Sequence, residues 1–390
     1  MTFPERFSNL PPYAFPRLRS LLAGLESGGV PVDMTIGSPQ HPFPHWITDI
    51  IVAHASGFGG YPPNDGTPEL QSAIAGWIAR RYGVAVDGET QVLPLNGTRE
   101  GLFNAALALC PEEKNGTPVV LMPNPFYQVY AVATLAVGAE PIYVPATLET
   151  GFLPDFGALP EDVLNRTAIA YLCSPSNPQG AVASPEYWAD LLALAEKYDF
   201  KIFADECYSE IYRSSAPMGA LTAGKDLDPE RVVLFNSLSK RSNLAGLRSG
   251  FAASGPENIK RLKALRAYAG APLPLPLQRV AEMVWADEEH VEANRALYRE
   301  KLDFSDTLFG DVDGYLAPEA GFFLWLPVKD GEEATKKLWS ETGVKVLPGA
   351  YLGRDYQGSN PGTKYIRVAL VAPMNELQPG LTRLKSCIYG

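Results

Sequence analysis

The sequence predicts an α/β protein in which a mostly parallel β-sheet is covered by helices on both faces, with a smaller α+β region after it. Two observations carry this prediction. Between about residues 68 and 255, apolar runs of strand length alternate with helical patterns, which is typical of a parallel sheet buried on both faces. Beyond about residue 285 this alternation ends, and a long charged helix precedes two strand-like runs, which indicates a separate α+β arrangement.

The individual elements follow from the same patterns. In the first region we expect a helix beginning at Tyr127, a helix over 185–198, and strands at 118–122, 141–144, 168–173, 201–204 and 231–235. In the second region we expect a helix over 287–308, a strand in GFFLWLPV, a helix over 332–342 and a strand in KYIRVALVA. The proline-rich segment 271–277 is either a boundary between two domains or a kinked loop within one domain.

Composition and charge exclude several classes of partner. The 390 residues are 46% hydrophobic and 20% charged, which is typical of a globular protein. With 33 Lys and Arg against 44 Asp and Glu, the net charge is −11, so the field of the protein repels nucleic acids and anionic membranes, and we expect neither as a partner. The four cysteines lie far apart and no histidine has zinc-ligand spacing, so we expect neither a metal site nor disulfides.

The first twenty residues and the lengths of the apolar runs indicate where in the cell to expect the protein. Prolines and charges occupy the positions where a signal peptide has an apolar run. The longest apolar stretch, from Ala131 to Ala139, is shorter than the roughly 18 residues needed to span a bilayer. We therefore expect a cytoplasmic protein.

Polar residues that follow the predicted strands are the candidates for chemistry, because ligands of open α/β sheets bind beyond the carboxyl ends of the strands. Asn177 follows the strand at 168–173, in SPSNPQG, although an isolated Asn-Pro is more simply a turn. Asp205 follows the strand at 201–204, in KIFADECY, and Tyr208 lies three residues later. A carboxylate buried there needs a partner, which is either a structural ion pair or a cationic ligand.

Two further segments are candidates for holding a phosphate. The segment VVLFNSLSKRSNLAGLRSG places Ser237, Ser239, Lys240 and Arg248 around one strand end. Hydroxyls and cations together in an acidic protein are typical of a phosphate site, although a solvated basic loop explains this segment equally well. In LPLNGTREGLF, a strand and a glycine turn precede a helix that begins at Thr98, where free N–H groups can bind phosphate. Together the segments predict one ligand with a phosphate, an aromatic ring cation that faces Asp205, and a group that pairs with Lys240.

These segments, in this order, resemble the pyridoxal-phosphate-dependent aminotransferases of classes I and II, which have fold type I. The ordered set is N-P-x-G at 177–180, D-x-x-Y at 205–208, S-x-S-K at 237–240, G-L-R-x-G at 246–250 and I-R at 366–367. The resemblance covers nearly the whole chain. It implies a large cofactor-binding domain over 46–285, with a seven-stranded sheet, and a small α+β domain formed by 1–45, which includes an N-terminal arm, and 286–390.

The resemblance also implies roles for single residues toward the cofactor, pyridoxal 5'-phosphate. Lys240 would carry the cofactor and move the proton between it and the substrate Cα, with Asp205 and Tyr208 as the other catalytic residues. Asp205 would keep the pyridinium nitrogen protonated, Asn177 and Tyr208 would hydrogen-bond the ring oxygen, and Tyr127 would stack on the ring. The cofactor-binding set is completed by Gly97, Thr98, Arg99, Ser237, Ser239 and Arg248, most of them at the phosphate.

Substrate binding and assembly are implied in the same way. Arg367 would bind the substrate α-carboxylate with both arms of its guanidinium group, with Asn177 beside it, and Gly37 would border the substrate. Tyr61, in GGYPPNDGTPEL, matches a tyrosine that reaches the phosphate in the neighbouring subunit, so a homodimer is implied. Without the surrounding pattern, Tyr61 would be an ordinary loop aromatic.

Several segments look like bacterial succinyldiaminopimelate aminotransferases, among them ADECYSEIY, SLSKRSNLAGLRSGF and VLPGAYLGRDYQGSNPG. This resemblance implies transfer of an amino group between an L-amino acid and a 2-oxo acid, with glutamate and 2-oxoglutarate as one pair. It also makes N-succinyl-LL-2,6-diaminopimelate, in lysine biosynthesis, a candidate substrate. Two features depart from the pattern: Gln179 replaces the usual Thr of N-P-T-G, and the segment 271–277, expected near the substrate, is less polar than usual.

Other functions stay open at this point. A general alanine- or aspartate-type aminotransferase, or a β-C–S lyase, would use the same motifs on the same fold. A cofactor-binding regulator of transcription is a rival from another class, against which the net charge of −11 argues. An NAD-linked enzyme is disfavoured because GFGG at 57–60 is not the G-x-G-x-x-G pattern.

Overall fold

The computed structural model describes residues 5–8, 10 and 12–390. Part of the predicted N-terminal arm, residues 1–4, 9 and 11, lies outside these described residues. The strands are β1 Val32–Asp33, β2 Val92–Leu95, β3 Val119–Asn124, β4 Glu140–Pro145, β5 Thr167–Cys173, β6 Lys201–Asp205, β7 Val232–Ser237, β8 Gly250–Ala253, β9 Phe323–Pro327, β10 Val344–Lys345, β11 Leu347–Pro348 and β12 Tyr365–Ala369.

The α-helices lie between these strands and after them. They are α1 Ala14–Leu21, α2 Ile47–Ala53, α3 Pro68–Tyr82, α4 Thr98–Leu109, α5 Gln128–Ala136, α6 Glu161–Arg166, α7 Pro185–Tyr198, α8 Ala220–Ala223, α9 Leu238–Arg241, α10 Pro256–Ala269, α11 Leu275–Ala286, α12 Glu289–Phe309, α13 Gly331–Thr342 and α14 Met374–Tyr389. Within the described part of the chain, no helix combines the length and the apolar character needed to cross a bilayer.

The largest sheet has seven strands in the order β2-β8-β7-β6-β5-β3-β4. Strand β8 runs antiparallel to both of its neighbours, and the other pairs are parallel. The strand residues alternate between two cores: on β6, Ile202 and Ala204 face one core and Phe203 faces the other. Helices α3, α7 and α11 pack in the first core, and α4, α5 and α10 pack in the second. The predicted α/β fold, with a mostly parallel sheet covered on both faces, is confirmed.

A second group of elements forms its own core. Strands β9, β12 and β11 pair antiparallel, and β1 pairs in parallel with β10. Buried side chains of α12, α13 and α14 pack on these strands. Residues near the start of the chain therefore join residues near its end. The division of the chain at 45/46 and 285/286 stays a prediction.

The element boundaries differ from the predictions by one or two residues, for local reasons. The helix predicted to begin at Tyr127 begins at Gln128, because Tyr127 has an extended backbone with φ −84° and ψ 121°. The helix predicted from residue 287 begins at Glu289, since Asp287 is extended and ends the preceding helix. Residues 271–274 lead into α11, whose first turn contains residues 275–277, and Leu273 is buried in the same core as the seven-stranded sheet.

Helix ends follow from cap residues, as in α3 and α7, which lie over one face of the sheet. Thr67 accepts a hydrogen bond from the Leu70 N–H at 3.3 Å, and proline occupies the first position of the helix. Ser184 caps α7 in the same way, accepting from the Tyr187 N–H at 3.1 Å. At its other end α3 ends at Gly83, whose φ of 67° is left-handed.

We expect Trp77 of α3 to be a principal packing residue of the first core. Its ring is fully buried and lies 4.9 Å from the Trp285 ring and 5.8 Å from the Phe251 ring, so it joins α3, α11 and β8. Trp77→Ala should lower the free energy of unfolding by about 3–5 kcal/mol because it leaves a large cavity. Urea denaturation measures this loss. The control is Tyr268→Ala, at a ring that is 95% exposed, and equal losses in the two variants would contradict the assignment.

Candidate active site

One cleft, with a volume of about 760 Å³, lies where the carboxyl ends of β5, β6 and β7 meet the start of α4. Arg367 of β12 and residues 36–38, which lie outside any helix or strand, close its other side. All of the predicted site residues except Gly97 and Tyr61 line this cleft. They are Gly37, Thr98, Arg99, Tyr127, Asn177, Asp205, Tyr208, Ser237, Ser239, Lys240, Arg248 and Arg367.

The charges in the cleft have the opposite sign to the protein as a whole. The charged lining residues are four cations, Arg99, Lys240, Arg248 and Arg367, and one acid, Asp205. The side-chain nitrogens of the cations contact carbonyl, amide and phenol oxygens of the described residues instead of carboxylates. In a chain of net charge −11, this cleft is therefore suited to an anionic ligand.

Lys240 lies in the short helix α9, directly after β7. Its Nζ donates a hydrogen bond to the Gly37 carbonyl and lies 5.5 Å from the centre of the Phe322 ring. The pKa of Lys240 is lowered to about 8, chiefly by burial; the nearby Arg367 and Arg248 cations contribute to this fall, and Cys207 and Asp205 oppose it. An amine with this pKa is partly neutral near pH 8, and the neutral form can act as a nucleophile or a base.

Asp205 ends β6 and is buried beneath the cleft. Its Oδ2 accepts from the Tyr130 hydroxyl at 2.8 Å, and its Oδ1 accepts from the Cys207 N–H at 3.4 Å. Burial raises the pKa of Asp205, while the hydrogen bonds from Cys207 and Tyr130 oppose this rise. Among the described residues the carboxylate makes no ion pair, so the structural ion pair considered from the sequence is not formed. A cation in the cleft would offset the cost of burying this charge.

The start of α4 and the Arg248 side chain form a cradle. Arg248 donates to the Ala245 carbonyl at 3.0 Å and to the Asn96 carbonyl at 3.2 Å, so its guanidinium group is held in place. Gly97, with φ 82°, precedes α4, and a Cβ atom there would overlap that guanidinium group. Gly97 does not line the cleft but allows Arg248 to lie against the helix start. This geometry fits a bound phosphate better than a solvated basic loop, the other interpretation of this segment.

Arg367 of β12 forms the opposite end of the cleft. One arm of its guanidinium group donates to the Thr35 carbonyl at 2.7 Å, and the other donates to Asn177 Oδ1 at 3.0 Å. Its Nε is buried without a hydrogen-bond partner among the described residues. Burial lowers the pKa of Arg367 to about 10, so the group remains charged at neutral pH. Asn177 also donates to the Tyr208 hydroxyl at 3.4 Å, which joins three predicted site residues.

These residues fit pyridoxal phosphate. The cradle at Gly97 and Arg248 suits its phosphate, the unpaired Asp205 carboxylate suits its ring nitrogen, and the unused Nε of Arg367 is free for a substrate carboxylate. When bound, the cofactor supplies an electron-withdrawing ring that stabilises negative charge at the substrate Cα. Lys240 would hold it and supply the base at that carbon.

Two predicted features lie outside this cleft. The Tyr61 side chain is fully exposed, at 102% of its reference area, so its role at the phosphate of a neighbouring subunit stays a prediction. The segment 271–277 was expected near the substrate, but none of its residues lines the cleft of its own chain. It instead covers the first core beside α3, because Leu273 and α11 are buried there.

Sequence reasoning missed several contacts in the site. Tyr130 was not assigned to the site, yet it hydrogen-bonds Asp205 from a helix 75 positions away. Cys207 lies 3.2 Å from the Thr98 hydroxyl, and its place between Asp205 and Tyr208 in the D-x-x-Y motif was the available signal. The Arg99 side chain reaches the Tyr127 hydroxyl at 2.6 Å instead of the phosphate cradle, so only its backbone N–H fits the predicted role there.

Comparison with known proteins agrees with this geometry. The profile of the family described as Aminotransferase class I and II matches residues 31–384. An LL-diaminopimelate aminotransferase of Dehalococcoides mccartyi is 33% identical over 398 residues, covering 98% of both chains. A solved aminotransferase structure from Neisseria meningitidis is similar with a TM-score of 0.93 and 38% identity, covering 98% of this chain and 99% of that chain.

A probable N-succinyldiaminopimelate aminotransferase of Thermus thermophilus is similar with a TM-score of 0.85 and 28% identity, covering 96% of this chain and all of that chain. The family match, the full-length relatives and the cleft lead to one assignment. The chain belongs to the class I and II aminotransferases and is a pyridoxal-phosphate-dependent transaminase of fold type I.

Proposed function

We propose that this aminotransferase acts on amino acids that carry a second acidic group, with glutamate and 2-oxoglutarate as one pair and N-succinyl-LL-2,6-diaminopimelate as the other amino donor. The observation that carries the proposal is the excess of cations in the cleft. Arg248 is assigned to the cofactor phosphate and Arg367 to the α-carboxylate, which leaves Arg99 for a further anion.

The roles of the chain's own residues at the reacting carbon follow from their positions. Arg367 would hold the α-carboxylate through its guanidinium group, oriented by the Thr35 carbonyl and Asn177. Lys240 would then take the proton from the substrate Cα and deliver it to the cofactor, so that the two exchange a proton through its amine. Asp205, held by its two hydrogen-bond donors, would oppose a positive ring nitrogen. Each step uses a group that already faces the cleft.

The position of Arg99 supports the proposal that the substrate carries a second acidic group. Its guanidinium group is exposed and borders the cleft, and its described partners are the phenols Tyr127 and Tyr13 instead of a carboxylate. A guanidinium group with such neutral partners keeps donors for an incoming carboxylate. Arg99 lies in the first turn of α4, next to the phosphate cradle, whereas Arg367 lies at the opposite end of the cleft. A substrate that contacts both arginines would therefore extend across the cleft.

The same charges favour the succinylated substrate over free LL-diaminopimelate. Free diaminopimelate presents a distal ammonium group beside its distal carboxylate, whereas succinylation removes the ammonium charge and adds another carboxylate. Asp205 is the only acid among the described lining residues, and it is assigned to the cofactor ring. Among the described lining residues the cleft therefore offers no second carboxylate to pair with a distal ammonium group.

The relatives support a diaminopimelate substrate of either kind. Curated relatives at 30–33% identity are named LL-diaminopimelate aminotransferases, and the similar structure from Thermus thermophilus is titled a probable N-succinyldiaminopimelate aminotransferase.

We further propose a homodimer in which Tyr61 reaches the phosphate in the partner subunit. Large apolar side chains are exposed along one stretch of the chain, at Ile36, Phe43, Val52, Phe58 and Tyr61, which is typical of a surface that is covered in an assembly. We also infer a cytoplasmic location, which the four free cysteine thiols support, since thiols persist in reducing compartments.

Lys240→Ala should lower turnover by more than about 10³-fold, because the variant loses both the covalent attachment of the cofactor and the base. Borohydride reduction followed by mass spectrometry should find the cofactor on the Lys240 peptide of the wild type and nowhere on the variant. Lys260→Ala, at an exposed lysine of α10, is the matched control. Normal turnover in the Lys240 variant would overturn the assignment.

Arg99→Ala should raise KM about tenfold or more for glutamate and N-succinyl-LL-2,6-diaminopimelate, because a charge-assisted hydrogen bond is lost. The KM for L-alanine, which has no second acidic group, should not change. Steady-state kinetics with these donors and with free LL-diaminopimelate measure both the selectivity and its origin. Equal losses for alanine and glutamate, or a wild-type preference for free over succinylated diaminopimelate, would contradict the proposed substrate.

Tyr61 is tested with a mixed dimer. Tyr61→Phe should lower cofactor affinity about tenfold, and Lys240→Ala should be inactive. If Tyr61 acts across the interface, a dimer with one chain of each variant contains one intact site and should recover roughly half of the wild-type turnover at limiting cofactor. Purification through two different affinity tags isolates that dimer. A mixed dimer no more active than the Tyr61→Phe parent would place Tyr61 in its own chain's site or in none.

A further inference from the structure

A half-buried histidine and a buried lysine form a pair behind Lys240, outside the residues assigned to the site. Lys301 of α12 is only 1% exposed, and its Nζ lies 2.6 Å from His41 Nε2. On its other side, His41 Nδ1 lies 2.9 Å from the side-chain oxygen of Asn294, also in α12. The His41 ring packs on Tyr298, with 4.5 Å between ring centres.

The hydrogen bonds define the protonation state of the pair. The Lys301 ammonium has three N–H donors, and it has three acceptors: the Leu370 carbonyl at 3.0 Å, the Val371 carbonyl at 3.3 Å and His41 Nε2. His41 Nε2 must therefore be unprotonated. The proton of the neutral ring lies on Nδ1, which donates to Asn294 Oδ1.

The pair connects three parts of the active site. First, Asn294 Nδ2 lies 3.5 Å from the Lys240 and Arg241 carbonyls, in the helix that carries the catalytic lysine. Second, Leu370 and Val371, which accept from Lys301, directly follow the strand that carries Arg367. Third, His41 belongs to the segment 35–41, whose carbonyls contact both Lys240 and Arg367.

Two backbone carbonyls of this segment have direct roles in the cleft. The Gly37 carbonyl accepts from Lys240 Nζ, and the Thr35 carbonyl accepts from Arg367 at 2.7 Å. Neither carbonyl is held by a regular strand, because β1 ends at Asp33. Asn243 also fastens the segment by donating to the Pro42 carbonyl at 3.1 Å. The position of residues 35–37 therefore depends on anchors that lie later in the segment.

We propose that His41 is a positioning residue for the reaction: held between Lys301 and Asn294, it fixes the segment 35–41 and so the carbonyls that orient Lys240 and Arg367. The inference rests on the proposed roles of those two cations. It assigns no contact between His41 and the substrate.

Protonation of His41 should release this anchor. The groups that face the ring are Asn294, Tyr298 and Lys301 of α12, with Glu300 beyond Lys301, and Asn243 from the turn after α9, which shares Asn294 Oδ1. A proton on Nε2 would oppose the Lys301 ammonium directly. Burial lowers the pKa of His41, the Asn294 hydrogen bond opposes this, and Lys301 lowers the pKa further. Because the pKa of His41 in the folded protein lies below its ordinary value of 6.5, the anchor holds at neutral pH and is lost only as the pH falls through this lowered pKa.

The test compares His41→Gln with His41→Ala in the holoenzyme. Glutamine keeps one acceptor and one donor but cannot take a proton, whereas alanine removes the anchor. The readouts are kcat and KM for L-glutamate, and the Kd of 2-methyl-L-glutamate, an analogue without an α-hydrogen, measured from the visible absorbance of the bound cofactor. Both are followed between about pH 5 and pH 8.

In the wild type, the analogue Kd should rise as the pH falls through the acid range. His41→Gln should keep the neutral-pH Kd and remove this rise, and His41→Ala should weaken binding about tenfold at neutral pH, with a smaller change in kcat. Two controls are matched: His45→Gln changes an exposed histidine four residues after His41, and His290→Gln changes a histidine that contacts Ser242 at 2.8 Å, beside the Lys240 helix. Both should retain the wild-type pH profile.

An acid-side rise that persists in His41→Gln, or wild-type binding by His41→Ala, would overturn the inference. An acid-side rise removed by His290→Gln would overturn it as well. Failure of the proposed substrate would give a different result, because the wild type would then show no turnover of glutamate at any pH. The role of His41 would be decided by the same comparison with the amino acid that the enzyme does use.

Discussion

The active-site cleft is lined by charged side chains that form no ion pairs with other described residues, and the contacts around them hold these charges in place. Four cations and one buried carboxylate face the same space, and within the described residues none of them forms an ion pair. Each is held by carbonyls, amides or phenols, which fix its position but leave its charge available. Such an arrangement costs stability in the absence of a ligand and is offset when a ligand of complementary charge binds, so cofactor and folding are thermodynamically linked.

Much of the fold could be predicted from the sequence because the signals are local. Alternating apolar runs and helical patterns predicted the order of strands and helices along the chain. The short motifs at the strand ends lie close together in the fold because the carboxyl ends of parallel strands meet at one edge of the sheet. Element ends shifted where single residues adopt extended backbone, as at Tyr127 and Asp287. Such choices depend on packing around the residue, which a single sequence does not reveal.

The contacts that could not be predicted join distant positions. Tyr130 and Asp205 are brought together by the packing of α5 against the sheet, and His41 meets Lys301 across 260 positions. Arg99 could be placed at the helix start from its motif, but not the direction of its side chain toward Tyr127. Motifs thus identified most of the polar residues that line the cleft, whereas the residues that hold them in place became visible only with the fold.

The pairing of β1 with β10 has a consequence for biosynthesis. The Thr35 carbonyl and the Arg367 guanidinium group that it orients are 332 positions apart. During synthesis on the ribosome the seven-stranded sheet, whose strands end at Ala253, can form long before β12 emerges. The N-terminal segment therefore has neither β10 nor Arg367 to pair with until almost the whole chain has been made. The Arg367 end of the cleft, where we propose that the substrate carboxylate binds, is therefore the last part to assemble, and an incomplete chain would present the cradle of Gly97 and Arg248 without it.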